Sequence, residues 1–139
     1  MAISFVGGST GDWVSGSITG SLGTAIKADS GSSVTIRGGV TVEANVATSR
    51  LVASEASSLV TFDGATVSIT DQQTADVFIR GSLIVNGGDW LLDSTNATMQ
   101  AIATGDIEFR KVRIDARQFS RFVRTDGNAN CSVTVNGCY

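Results

Sequence analysis

The chain has 139 residues, enough for one domain, with 42% apolar and only 17% charged residues, 16 glycines, and no proline or histidine. Its net charge of −3 argues against broad nucleic-acid binding, which needs a basic footprint. No apolar run is long enough to cross a membrane as a helix, and the N-terminus lacks the basic and apolar regions of a secretion signal, so neither a membrane partner nor export is expected.

In chain order, residues 1–31 are rich in Gly and Ser. Ile3-Ser4-Phe5-Val6-Gly7-Gly8 reads as one strand, and Gly11-Asp12-Trp13-Val14 echoes Gly88-Asp89-Trp90-Leu91. This segment is expected to be an irregular N-terminal arm or a rung zero, with Phe5 and Trp13 as its candidate docking residues.

Residues 32–139 carry a loose repeat of about 24 residues. A first apolar pair recurs as Val34-x-Ile36, Val60-x-Phe62, Leu83-x-Val85, Ile107-x-Phe109 and Val133-x-Val135, at steps of 26, 23, 24 and 26. A polar residue and usually a Gly follow: Arg37-Gly38, Asp63-Gly64, Asn86-Gly87 and Asn136-Gly137, with Arg110-Lys111 as the copy that lacks its Gly. A second pair reads Val40-x-Val42, Val67-x-Ile69, Trp90-x-Leu92 and Val112-x-Ile114. A third reads Leu51-Val52, Phe78-Ile79, Ala101-Ile102 and Phe122-Val123.

Apolar residues alternate with Thr, Ser, Glu or Arg, the period-two pattern of half-buried strands. Residues 116–124 could be written as a helix with Arg117, Arg121 and Arg124 on one face. Strand is preferred for their second half, because Arg121-Phe122-Val123-Arg124 resembles Val77-Phe78-Ile79-Arg80. Three short strands per repeat predict an all-β, parallel β-helix of four to five rungs, right-handed by the crossover rule. Stacking at about 4.8 Å would set each pair over its predecessor. The polar residues after the first strand would then form a ladder, Arg37, Asp63, Asn86, Arg110 and Asn136, along a corner where Gly accepts positive φ.

On this rung length and pattern, residues 32–139 resemble the right-handed parallel β-helix proteins, which include polysaccharide lyases, tailspikes and other virion proteins of tailed phages. The resemblance implies a fold and, for the phage members, frequent trimers. It carries no catalytic residue to this chain.

Glu43, Thr70, Asp93 and Asp115 follow the second strand in successive repeats, and Asp93 and Asp115 would be neighbours. Two carboxylates about 5 Å apart suit a retaining glycosidase or a hard cation; a solvated polar corner is the preferred reading. A cluster of Arg110, Lys111, Arg113, Arg117, Arg121 and Arg124 holds six of the ten basic residues, with Asp115 the only acid between them. Interleaved with Phe119 and Phe122, it is a candidate docking patch for an acidic partner. Trp90 is expected in the core and Trp13 at a subunit contact or over the first rung. Cys131 and Cys138 read as reduced thiols, with a disulfide pinning the last rung as the alternative. Without His the commonest general base is missing, so no enzyme activity, cofactor or metal is expected.

A short β-helix has open ends that must be capped or joined to a partner. The expected function is therefore a non-enzymatic phage virion protein, a homotrimer that decorates or cements a capsid by docking on the major capsid protein, assembled in the host cytoplasm. A chain of this length fits an accessory head protein better than a whole tailspike. The alternative is a tailspike or tail-fibre segment that recognises polysaccharide.

Overall fold

The computed structural model describes residues 3–19, 23–44, 49–70, 77–101, 105–125 and 130–139, apart from the side chains of 19, 23, 44, 49–51, 53, 94–101 and 118–124. Among the described residues every regular element is a strand. They are β1 (Ile3–Phe5), β2 (Thr10–Thr19), β3 (Gly23–Ala28), β4 (Ser33–Ala44), β5 (Ser49–Ser54), β6 (Leu59–Asp63), β7 (Thr66–Ile69), β8 (Val77–Ile79), β9 (Ser82–Asn86), β10 (Asp89–Ala101), β11 (Asp106–Arg110), β12 (Arg113–Thr125) and β13 (Ser132–Asn136). All ladders between these strands are parallel. The chain is a β-solenoid with a repeat of about 24 residues, as the recurring apolar pairs predict.

Three stacks of strands build the coil. The first face stacks the start of β2, the start of β4, then β6, β9, β11 and β13. The second stacks the end of β2, the end of β4, then β7 and the starts of β10 and β12. The third stacks β1, β3, β5, β8 and the ends of β10 and β12. Within 116–124 the backbone is strand throughout, so the helical option is excluded. A strand here continues the ladder with β10, whereas a helix would leave that strand's edge unpaired.

Alternation places every second side chain inward, and the inward members of β6 and β9 (Val60, Phe62, Leu83 and Val85) are fully buried. Each such residue contributes about 1.5–3 kcal/mol of burial. The first-face column Val34, Val60, Leu83, Ile107, Val133 stands in the expected register.

On the second face Trp90 lies over Val67 and Leu92 over Ile69 as expected, but the other expected pairings there and on the third face slide. Val67 lies over Val42 rather than Val40, and Trp90 pairs with Ile114 rather than Val112. On the third face Val52 pairs with Val77 rather than Ile79, and Val123 aligns with Met99 and through it with Val77. These are slips of two residues. They keep the inward parity while changing the partner, so the alternation pattern alone cannot detect them. Ala101 is off by one, pairing with Ile79 instead of Phe78.

Trp90 occupies the core at 1% exposure. Its ring stands edge-on to Phe62 and Phe109, with centroids 5.5 Å away in each case. Phe62 and Phe109 belong to the turns on either side, and between them on the first face sits the smaller Val85. The indole fills the room that Val85 leaves. Its Nε1 is buried with no hydrogen-bond partner, a cost this packing must offset.

Candidate interaction surfaces

The corner ladder forms as expected and gains a member. Arg37 donates through Nη1 to Asp63 Oδ2 at 2.8 Å, and through Nε and Nη2 to the two carboxylate oxygens of Asp12 at 2.9 and 3.2 Å. Asn86 Nδ2 donates to Asp63 Oδ1 at 3.1 Å. The two acids, Asp12 first through the hydrogen bonds it accepts from Arg37, hold the Arg37 guanidinium above its ordinary pKa. The ladder spans successive rungs and its members are exposed, so it fixes register more than it adds stability.

Three members of the basic cluster are paired with acids. Arg110 makes two hydrogen bonds of 2.6 Å to its own strand neighbour Glu108, one to each carboxylate oxygen. Arg113 Nε meets Asp89 Oδ1 at 2.7 Å, and Arg117 binds Asp115 Oδ2 through Nε at 3.1 Å and Nη2 at 3.0 Å. Asp115 chiefly, and Asp93 more weakly, raise the Arg117 pKa. Each of these three cations therefore has its charge answered. The solenoid sets residues two apart on the same side of a strand and residues of adjacent turns side by side, so acids remote in a linear charge count come into contact. Lys111 is exposed, and among the described residues no ion pair reaches it. Phe119, Arg121 and Arg124 lie on β12, with side chains outside the described residues.

Asp93 and Asp115 are not the neighbours expected for a carboxylate pair. Asp115 pairs with Leu91, and Asp93 pairs with Gln118 beyond a register shift. A shallow open depression of about 200 Å³ lies on this second face, with half-buried Leu91 in its lining beside Ser68, Asp89, Arg113, Asp115 and Arg117. Among the described residues no group of acids and thiols is placed to hold a metal ion. No disulfide joins Cys131 and Cys138. They pack, half-buried, against the core in the last turn.

The two ends of the coil carry the residues that sequence reading missed. At the N-terminal end Phe5 is half-buried against the core rather than presented for docking. Its ring occupies the place a side chain on Gly11 would take, so Gly11 admits Phe5 to the apolar column below Val34. Trp13 pairs with Ile36 at the foot of the next column and stays 38% exposed, beside Val14 at 64% and Val6 at 55%. At the other end Val135 is 52% and Tyr139 77% exposed. Val6, Val14, Val135 and Tyr139 have no unusual local pattern. Their signal is position, since first and last rungs have a neighbour on one side only.

No protein-family model, no curated protein and no solved structure matches this chain.

Proposed function

We propose that the chain is a non-enzymatic structural protein of a phage virion, a β-solenoid rod that stands on the capsid by its N-terminal end and associates as three parallel rods. The observation that carries the reading is the distribution of exposed apolar side chains. Among the described residues they gather in the first and last turns, with Val6, Trp13 and Val14 on the first, whereas one lateral corner is covered by the ion-paired ladder of Asp12, Arg37, Asp63 and Asn86. A rod with one self-satisfied corner and apolar ends is suited to join other bodies through its ends. The docking role moves from the basic strip to Trp13 and Val14, because Arg110, Arg113 and Arg117 are already paired.

The test is to mix the purified chain with undecorated phage capsids and follow sedimentation with the shells, with light scattering giving the mass of the free protein. The expected result is a protein whose smallest assembly is a trimer and which binds shells, the binding weakened at least tenfold by Val14→Asp and little changed by Arg117→Glu. A protein that ignores shells overturns the reading. The depression around Leu91, with its Arg and Asp rim, favours a second reading as a polysaccharide-recognising tail segment. Retention on capsular polysaccharide that Asp115→Asn abolishes would move the assignment there.

A further inference from the structure

We infer that the C-terminal end of the rod is a docking site for the N-terminal end of a second copy of this chain, so that copies stack head to tail. The inference rests on the reading of the chain as a structural rod and names the partner of the end that shell docking leaves free.

Three observations carry it. The first is a size alternation in one column of the first face. From foot to top the register reads Trp13, Ile36, Phe62, Val85, Phe109 and Val135, an aromatic on every second turn with a β-branched residue between. Val135 ends the column half exposed, and the next member in sequence of size is an aromatic. Trp13, the exposed foot of the same column, supplies it. Large on small is the packing that the interior already uses between Phe62, Val85 and Phe109, and Val135 under Trp13 of a second copy repeats it.

The second is the polar corner. It begins with the Asp12 carboxylate and ends with the Asn136 amide, which pairs in register with Arg110. Inside the rod an Asn already donates to an Asp one turn away, Asn86 to Asp63 at 3.1 Å. A stacked copy with Trp13 over Val135 sets Asp12 abreast of Thr134 and leaves Asn136 on the diagonal, the offset at which Arg37 reaches Asp12 within the rod, with an acid at one end and an uncharged donor at the other. Two N-terminal ends facing each other would instead set Asp12 against Asp12.

The third is the backbone. β13 and the first half of β2 are the two edges of one parallel stack, each with its outer row of N–H and C=O groups unmatched among the described residues. The two edges run in the same direction, so head-to-tail contact continues the ladder as parallel pairs. The interface is heterologous and does not close on itself, so each added copy offers the next site.

The experiment uses the full chain and two variants at exposed positions, Val14→Asp at the foot and Val135→Asp at the top. Light scattering over a hundredfold range of protein concentration reads the mass. The wild-type mass is expected to rise with concentration. Each variant alone is expected to hold one constant mass, that of one subunit or one trimer. An equal mixture should restore a species of twice that mass, since Val14→Asp keeps a sound top and Val135→Asp a sound foot. Circular dichroism checks that both remain β-structured, and Tyr139→Asp replaces Val135→Asp if that variant does not fold. A wild-type mass independent of concentration overturns the inference, as does either variant growing alone or a mixture that stays at the single mass. A constant mass with capsid binding intact removes the stack and leaves the shell reading in place. A concentration-dependent stack that ignores capsids does the reverse.

Discussion

Lys111 holds a left-handed backbone conformation, φ 54°, at the corner where the other turns use Gly64, Gly87 and Gly137 with φ of 78°, 67° and 61°. Its N–H donates to the Asn136 carbonyl as the Gly64 N–H does to that of Asn86, so the turn geometry is imposed by the stack and not by the residue. An L-residue there costs about 1–2 kcal/mol, part of which glycine gives back in unfolded-state freedom. Lys111→Gly should therefore stabilise the protein by about 1 kcal/mol, read from urea unfolding midpoints at constant slope. No change or a loss would show that the lysine side chain contributes more than its backbone costs. Glu108 gives a second prediction at this scale. Its hydrogen bonds with Arg110 hold its carboxyl below the ordinary carboxylate range. A depressed folded-state pKa means stability that is whole above the unfolded pKa and is lost as pH falls through the folded one. Glu108→Gln should be less stable than the parent at neutral pH, and the gap should close in acid. A gap that does not change with pH would show that the ion pair contributes nothing.

At the scale of the element, the inward parity of most strands and the register of the first face were legible from Val34, Val60, Leu83, Ile107 and Val133, because a polar residue, usually followed by Gly, marks the end of that apolar pair in each turn. On the second face only the register of Trp90 over Val67 was legible, and on the third face none was. A two-residue slip, such as Val42 instead of Val40 over Val67, leaves the same side chains inward and is fixed by how many residues each corner consumes. The ion pair of Arg113 with Asp89 was illegible because it depends on which residues the register brings abreast, whereas that of Arg117 with Asp115 follows from their two-residue spacing on one strand. The Trp90 core position was legible from parity, but its edge-on packing between Phe62 and Phe109 follows from the alternation of sizes across turns. Trp90→Ala should cost about 3–5 kcal/mol, because the surrounding rings belong to separate turns held by their own ladders and cannot close over the gap. A cost below about 1 kcal/mol in chemical unfolding would mean that the turns collapse on one another freely.

At the scale of the molecule, a solenoid is a row of units, each touching only its neighbours, so its stability is a sum of turn and interface terms. The turns holding β6 and β9 have a partner on both sides, whereas the first halves of β2 and β13 each have one. Side-chain burial follows the same gradient, with Val60, Phe62, Leu83 and Val85 at 0% and Val14 and Val135 at 64% and 52% exposure. Amide hydrogen exchange should therefore be slowest in β6 and β9 and should quicken toward both ends. Gly11→Ala sharpens the gradient at one end. The added methyl displaces the Phe5 ring, and protection should fall across β1 and β2 while β9 and β11 keep theirs. If protection fell equally in all strands, the turns would be coupled too tightly for the nearest-neighbour picture. Stacking of copies adds a concentration axis to this measurement. A second copy gives the end strands the neighbour they lack, so protection of β2 and β13 should rise together with protein concentration. Protection of the central strands should stay fixed, because their neighbours are already present within one chain. In Val14→Asp the end strands should stay as fast at high concentration as at low. End strands whose exchange ignores concentration in the wild type would show that each rod keeps its ends open to solvent, whatever body it stands on.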